Sequence, residues 1–238
     1  GPSLEGATRL GRALAGVARS GELRALVHLM LAHLAAATGD LSVCRAELQT
    51  ATGLDLPWAI ETRGLLVALP FLPFSDAEIA ATRSELEAWS PEAAAPNVSL
   101  PLAFHNGLHP HLRAYTIGLV AARQRDPAGV ASALELLAEL PEPDDAERLV
   151  ERLERSLESL LLEQRGDAAG ALAALAGTRQ EPWFQFAVAS PFYSGTFERW
   201  RRGRLLEFLG RPDEARGWLD AIAERTPWEL PFRAAARA

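Results

Sequence analysis

Three clustered histidines, one cysteine and a few acidic pairs are the residues of this 238-residue chain whose types could do chemistry. The stretch "FHNGLHPH" carries His105, His109 and His111. On a continuous helix His105 and His109 would share a face, and imidazole nitrogens at that spacing can hold zinc. Gly107 and Pro110 interrupt such a helix, because glycine favours turns and proline lacks the amide a helix interior needs. With no cysteine or carboxylate beside them in sequence, the expectation is a loop leading into a helix near Pro110 and no bound metal. His28 and His33 lie five apart and do not share a helical face well. Cys44 is alone, so it forms no internal disulfide, which fits a reducing, cytoplasmic compartment; inside a helix at a packing position its thiol is inert. The acidic pairs Asp144–Asp145 and Asp213–Glu214 fall at helix starts, where negative charge meets the positive end of the dipole. There is no G-x-S-x-G, phosphate loop, dinucleotide fingerprint or H-E-x-x-H. The expectation is a protein that is not an enzyme and carries no cofactor; catalysis would need a histidine–carboxylate cluster to assemble on folding around 105–111.

Aromatic residues offer recognition instead of reactivity. "PWFQFAVASPFYSGTFERW", residues 182–200, holds seven of the seventeen aromatic side chains. After Ser190–Pro191, a capping pair, Phe192, Tyr193, Phe197 and Trp200 follow a spacing of three to four and suit the buried face of a helix. Trp183, Phe184 and Phe186 precede them beside Pro182, where one helix face cannot bury all three. Core packing is the simpler account of the group. The partner- or ligand-contact candidates are Trp183, Phe184, Tyr193 and Trp200.

The elements that must position these groups are helices. The chain is 48% apolar and 23% charged, the balance of a folded globular protein. All 24 basic residues are arginine, so surface ion pairs are arginine with aspartate or glutamate. A net charge of -7, with "ERWRRGR" (198–204) the densest basic run, disfavours direct nucleic-acid binding. No apolar run reaches the ~18 residues of a membrane span. Gly1–Pro2 matches the pair a protease leaves on removing a purification tag. Strand signals are nearly absent and helix formers dominate. The periodicity predicts helices over 4–18, 22–37, 40–52, 55–69, 75–89, 110–124, 126–140, 144–164 and 167–176, then 190–209, 212–225 and one from about 227, with a long loop over 90–101. Ser75 and Glu78 form a reciprocal capping pair. In 144–165 the apolar stripe Leu149, Val150, Leu153, Leu157, Leu160 and Leu161 suits packing in the chain's own array.

The connections repeat. "ATGDLSVCRAEL", "RQRDPAGVASAL", "EQRGDAAGALAAL" and "FLGRPDEARGWL" each end a helix, place Gly or Arg at a turn, follow it with Asp and put a small residue five positions later. The equivalent turn residues Gly39, Arg125, Gly166 and Gly210 are 86, 41 and 44 apart, and a further turn near Ser75 fills the double step. "GRLLEFLGRPDEARGWLDAIAERTP", with Gly203, Gly210, Ala215 and Pro227 in register, resembles a tetratricopeptide repeat; Ala32, Cys44 and Ala51 follow the same register around Gly39. The likeness is strong over 200–228, fair over 25–57 and 156–178, and departs in its longer step, in Leu206 and Leu219 where aromatics are usual, and in Arg125 at a turn. It implies one all-α domain over 1–238, stacked antiparallel hairpins in a right-handed solenoid, with a groove holding a peptide or protein partner. It further implies a scaffold or sensor module of a larger bacterial signalling protein, of the kind attached to kinases, cyclases and transcriptional activators. The alternative is a small-molecule sensor with an aromatic-lined pocket near 183–200. A solenoid end lacking a neighbour could also self-associate or meet a missing domain.

Overall fold

The computed structural model describes residues 3–54, 56–91, 96, 98, 103–143, 146–177, 190–222 and 226–237. Among them there is no strand, and no helix long and apolar enough to cross a membrane. The helices are α1 (Leu4–Val17), α2 (Gly21–Ala37), α3 (Leu41–Thr52), α4 (Pro57–Ala68), α5 (Asp76–Ala88), α6 (His109–Arg123), α7 (Pro127–Glu139), α8 (Glu147–Gln164), α9 (Ala168–Ala176), α10 (Pro191–Ser194), α11 (Thr196–Phe208), α12 (Pro212–Asp220), a 3-10 turn (Pro227–Glu229) and α13 (Leu230–Arg237). They pack in adjacent pairs: α2 with α3, α4 with α5, α6 with α7, α8 with α9 and α11 with α12. The second helix of each pair also touches the first helix of the next.

Within four of these pairs the turn is built the same way. Gly39, Arg125, Gly166 and Gly210 all lie in the left-handed region, at φ of 77°, 57°, 84° and 73°. Each amide donates to the carbonyl three residues back, and the next residue's amide reaches five back, to Ala35, Ala121, Leu162 and Leu206. That closes the last turn of the first helix and satisfies its orphan carbonyls. Asp40, Asp126 and Asp167 then cap the second helix by accepting from Val43, Gly129 and Gly170. The residue five past each turn, Cys44, Val130, Ala171 or Ala215, is fully or almost fully buried. The α4–α5 connection is built differently. Its seven residues end in the Ser75–Glu78 reciprocal cap, both bonds of which form.

Glycine and alanine set how closely the pairs approach. A Cβ on Gly118 would stand 2.7 Å from a methyl of Leu157, and one on Gly203 2.5 Å from a methyl of Leu219. Side-chain to main-chain bonds tie successive pairs: Arg113 to the carbonyls of Leu86 and Glu87, Arg123 to those of Pro70 and Leu72, and Gln164 to that of Ala122. Arg83 joins α5 to the Asp126 cap at 2.7 Å.

Three expectations shift. The apolar positions that the sequence offers as the packing face of α1, Leu4, Leu10, Leu14 and Val17, are exposed, and the helix seats through Ala7, Gly11 and Ala15 on α2 instead. The helix expected over 190–209 breaks at Gly195, whose φ is 61°, into α10 and α11. The described part of the helix expected over 212–225 ends at Asp220, and 223–225 lie outside the described residues, as do the Asp55 and Asp144–Asp145 caps.

Candidate functional site

The C-terminal ends of α4, α6 and α8 and one face of α11 converge on one groove of about 690 Å3. α4 and the residues after it contribute Ala68 and Pro70; α6 contributes Leu119, Ala122 and Arg123. Its turn adds Arg125 and Pro127, α8 adds Leu160, Glu163 and Gln164, and α11 adds Phe197, Trp200, Arg201, Arg204 and Leu205. The left-handed turn at 125 is what brings the rim here: by reversing the chain it lifts the residue at its apex clear of both helices.

The floor is apolar and the rim is cationic. Four arginines face one carboxylate, Glu163, in a chain whose net charge is -7. Arg201 is fixed from below, donating to Ser159 Oγ at 3.0 Å and to Glu163 Oε2 at 2.6 Å. Arg123 spends its donors on the two carbonyls after α4, so its positive charge meets no carboxylate there. Arg204 pairs with Glu207 one turn on, and both are substantially exposed. The Arg125 side chain is exposed and makes neither hydrogen bond nor ion pair with the described residues. Arg125 is also the one described non-glycine residue with positive φ. Arginine there stands in a conformation costing roughly 1 kcal/mol, where the three equivalent turns use glycine. Two lining residues, Trp200 and Gln164, carry a buried indole N–H and a buried amide oxygen without partners.

Of the four aromatic contact candidates, Trp200 lines this groove, its ring edge-on to Phe71 at 5.1 Å. Tyr193 does not; it is buried, 5.2 Å from the ring of Phe104 and 6.2 Å from that of His105. Trp183 and Phe184 lie outside the described residues. Phe192 and Phe197 are buried with Tyr193 and Trp200.

The histidines gather elsewhere. Gly107 at φ 83° turns the chain between His105 and His109, and α6 begins at His109. His109 Nδ1 lies 2.9 Å from Glu61 Oε1, and His105 Nε2 lies 2.9 Å from Ser190 Oγ. Burial drops His105 to about 3, leaving it neutral, and pushes the Glu61 carboxyl up to about 7 against the opposing pull of His109. A serine on an imidazole and an imidazole on a carboxylate are the contacts nucleophilic catalysis uses. Here the two contacts fall on different imidazoles, Ser190 Oγ also accepts from the Phe192 amide as a helix cap, and Ser190, His105 and Glu61 are fully buried. The arrangement works as a polar core joining α4, α6 and α10. Among the described residues no group of three His, Cys, Asp or Glu is placed to hold a metal. The Cys44 thiol, pushed up to about 12 by burial, stays protonated and inert.

The chain matches no protein-family model, no curated protein and no solved structure.

Proposed function

We propose that the chain is a tetratricopeptide-like right-handed helical solenoid acting as an interaction module, and that its groove receives an extended acidic segment of a partner protein with apolar side chains between the carboxylates. The observation that carries this reading is Arg125: an arginine with no partner, held at the groove rim in a conformation that its equivalents reach with glycine. The charge count agrees, since a cationic rim over an apolar floor complements alternating acidic and apolar residues. Attachment to a larger bacterial signalling protein follows from the repeat resemblance alone, and a cytoplasmic setting from the single cysteine. A small molecule is the second reading, because the groove's volume lies within the ~300–1,000 Å3 of ordinary ligand pockets.

The test sets binding against stability at one position. Labelled peptide pools, one of Asp, Glu, Leu and Phe and one of Arg, Leu and Phe, are titrated with the chain and read by fluorescence anisotropy. The acidic pool should bind and the basic pool should not. Arg125→Gly should weaken acidic-pool binding about three- to tenfold, the scale of one rim charge, with a larger effect at low salt. It should at the same time raise stability by up to about 1 kcal/mol by relieving the left-handed arginine. Equal binding of both pools, or an Arg125→Gly variant that binds as well as the parent, would count against the reading.

A further inference from the structure

The last described segment, residues 226–237, does more than cap the final pair. A helix that only followed the preceding pair in a helical array would rest on α11 and α12. Here the 3-10 turn and α13 pack more extensively on α2, the first helix of the first pair, and touch α11 and α12 as well. Trp228 is edge-on to His33 of α2 with ring centres 4.7 Å apart, and Leu230 packs with Val27, Leu31 and Leu34. Phe232 enters a ring of aromatics, 5.5 Å from Phe71, 6.3 Å from Trp200 and 6.4 Å from Phe197. Glu229 pairs with Arg199 at 2.9 Å. Trp228 and Phe232 are almost fully buried.

Those contacts have the form of a bound ligand. Two aromatic anchors four residues apart fill aromatic pockets, and a carboxylate between them meets a guanidinium. The segment is a one-turn 3-10 element and an eight-residue helix, lengths that have little helical stability of their own. Its order therefore comes from the surface it occupies, and a short element held by tertiary contacts alone opens at a lower cost than the whole fold. Phe232 also rests on Trp200 and Phe197, which line the groove, so its departure would extend the groove over Phe71.

We propose that residues 226–237 are an intramolecular ligand. The surface formed by His33, Phe71, Phe197 and Trp200 is a docking site for a helical segment presenting a tryptophan and a phenylalanine four positions apart with a carboxylate between them, and the chain's own tail is its resting tenant. The inference goes beyond the acidic-segment reading of the groove and does not require it.

The test uses the full chain and a fluorescein-labelled peptide of residues 226–237. A tethered tail competes at an effective concentration on the order of millimolar, so the parent should bind the peptide weakly. The double variant Trp228→Ala with Phe232→Ala, whose tail can no longer hold the site, should bind it at least tenfold more tightly. Adding Phe71→Ala to that double variant should remove the gain. A double variant that keeps cooperative melting and helical circular dichroism yet binds no peptide overturns the proposal. So does a double variant that loses cooperative melting, because the tail is then part of the core and not a tenant. The failure of the acidic peptide pool to bind leaves this outcome unaffected, so the two ideas stand or fall separately.

Discussion

Gly118→Leu is expected to lower stability by about 3 kcal/mol or more, equivalent to a melting temperature about 6–12 °C lower for a chain of this length. The reason is local. A Cβ alone at 118 would meet the two Leu157 methyls at 2.7 and 2.8 Å and the Ala133 Cβ at 3.0 Å, so α6 contacts both α7 and α8 there with no space left. A leucine can be accommodated only by moving helices apart, which opens contacts along both interfaces. Gly217 on α12 provides the contrast. Nothing lies within 4 Å of a Cβ there, and Gly217→Ala should gain about 0.5–1 kcal/mol from helix propensity. Urea unfolding of the two variants beside the parent checks both signs. A Gly118→Leu protein melting within a degree or two of the parent would mean that the pairs are not held at close approach.

Glu61→Gln is expected to stabilise the chain by about 3 kcal/mol at pH 8, and to give no advantage near pH 4.5. Glu61 is fully buried, has one oxygen on His109 and leaves the other without a partner. Burial raises its carboxyl from 4.5 to about 7, so the fold favours the protonated acid over the anion. Its contribution is fully present below about pH 4.5 and is lost as the pH rises through 7, at about 1.4 kcal/mol for each unit between the folded and unfolded values. Glutamine keeps the shape and a bond to His109 without the charge. His33, dropped to about 4, and His105, dropped to about 3, act with the opposite sign: their contribution stands above 6.5 and is lost as the pH falls. Both are present in parent and variant, so the difference in stability isolates the Glu61–His109 contact. Denaturant titrations at pH 4.5 and pH 8 measure it. A Glu61→Gln protein less stable than the parent at pH 8 would show that the Glu61–His109 contact is a net favourable ion pair.

Local rules carried most of the architecture. The Asp caps, the Ser75–Glu78 pair and the turn glycines each act over three to five residues, so the helix boundaries they set are readable from the chain. The repeating turn is readable for the same reason, with Arg125 as its exception. What local pattern does not carry is which face of a helix finds a neighbour. In α1 the leucines, not the alanines and glycine, look like the packing face, yet α2 needs close approach at Leu31 and takes the small residues. The groove was also hidden. Its lining comes from positions 68 to 205 and depends on the stacking of four pairs, so no single stretch signals it. The Glu61–His109 contact joins residues 48 apart and the tail's hold on α2 joins the two ends of the chain, distances over which periodicity is silent.

The most direct measurement is a display selection of random twelve-residue peptides against the full chain, run in parallel against an Arg125→Glu with Arg204→Glu variant shown to melt like the parent. The parent should enrich peptides rich in Asp and Glu with interspersed Leu, Phe or Trp, and the variant should lose that enrichment or shift it toward Arg and Lys. Enrichment indifferent to charge, or the same sequences recovered from both proteins, would contradict a groove whose rim of arginines selects its partner.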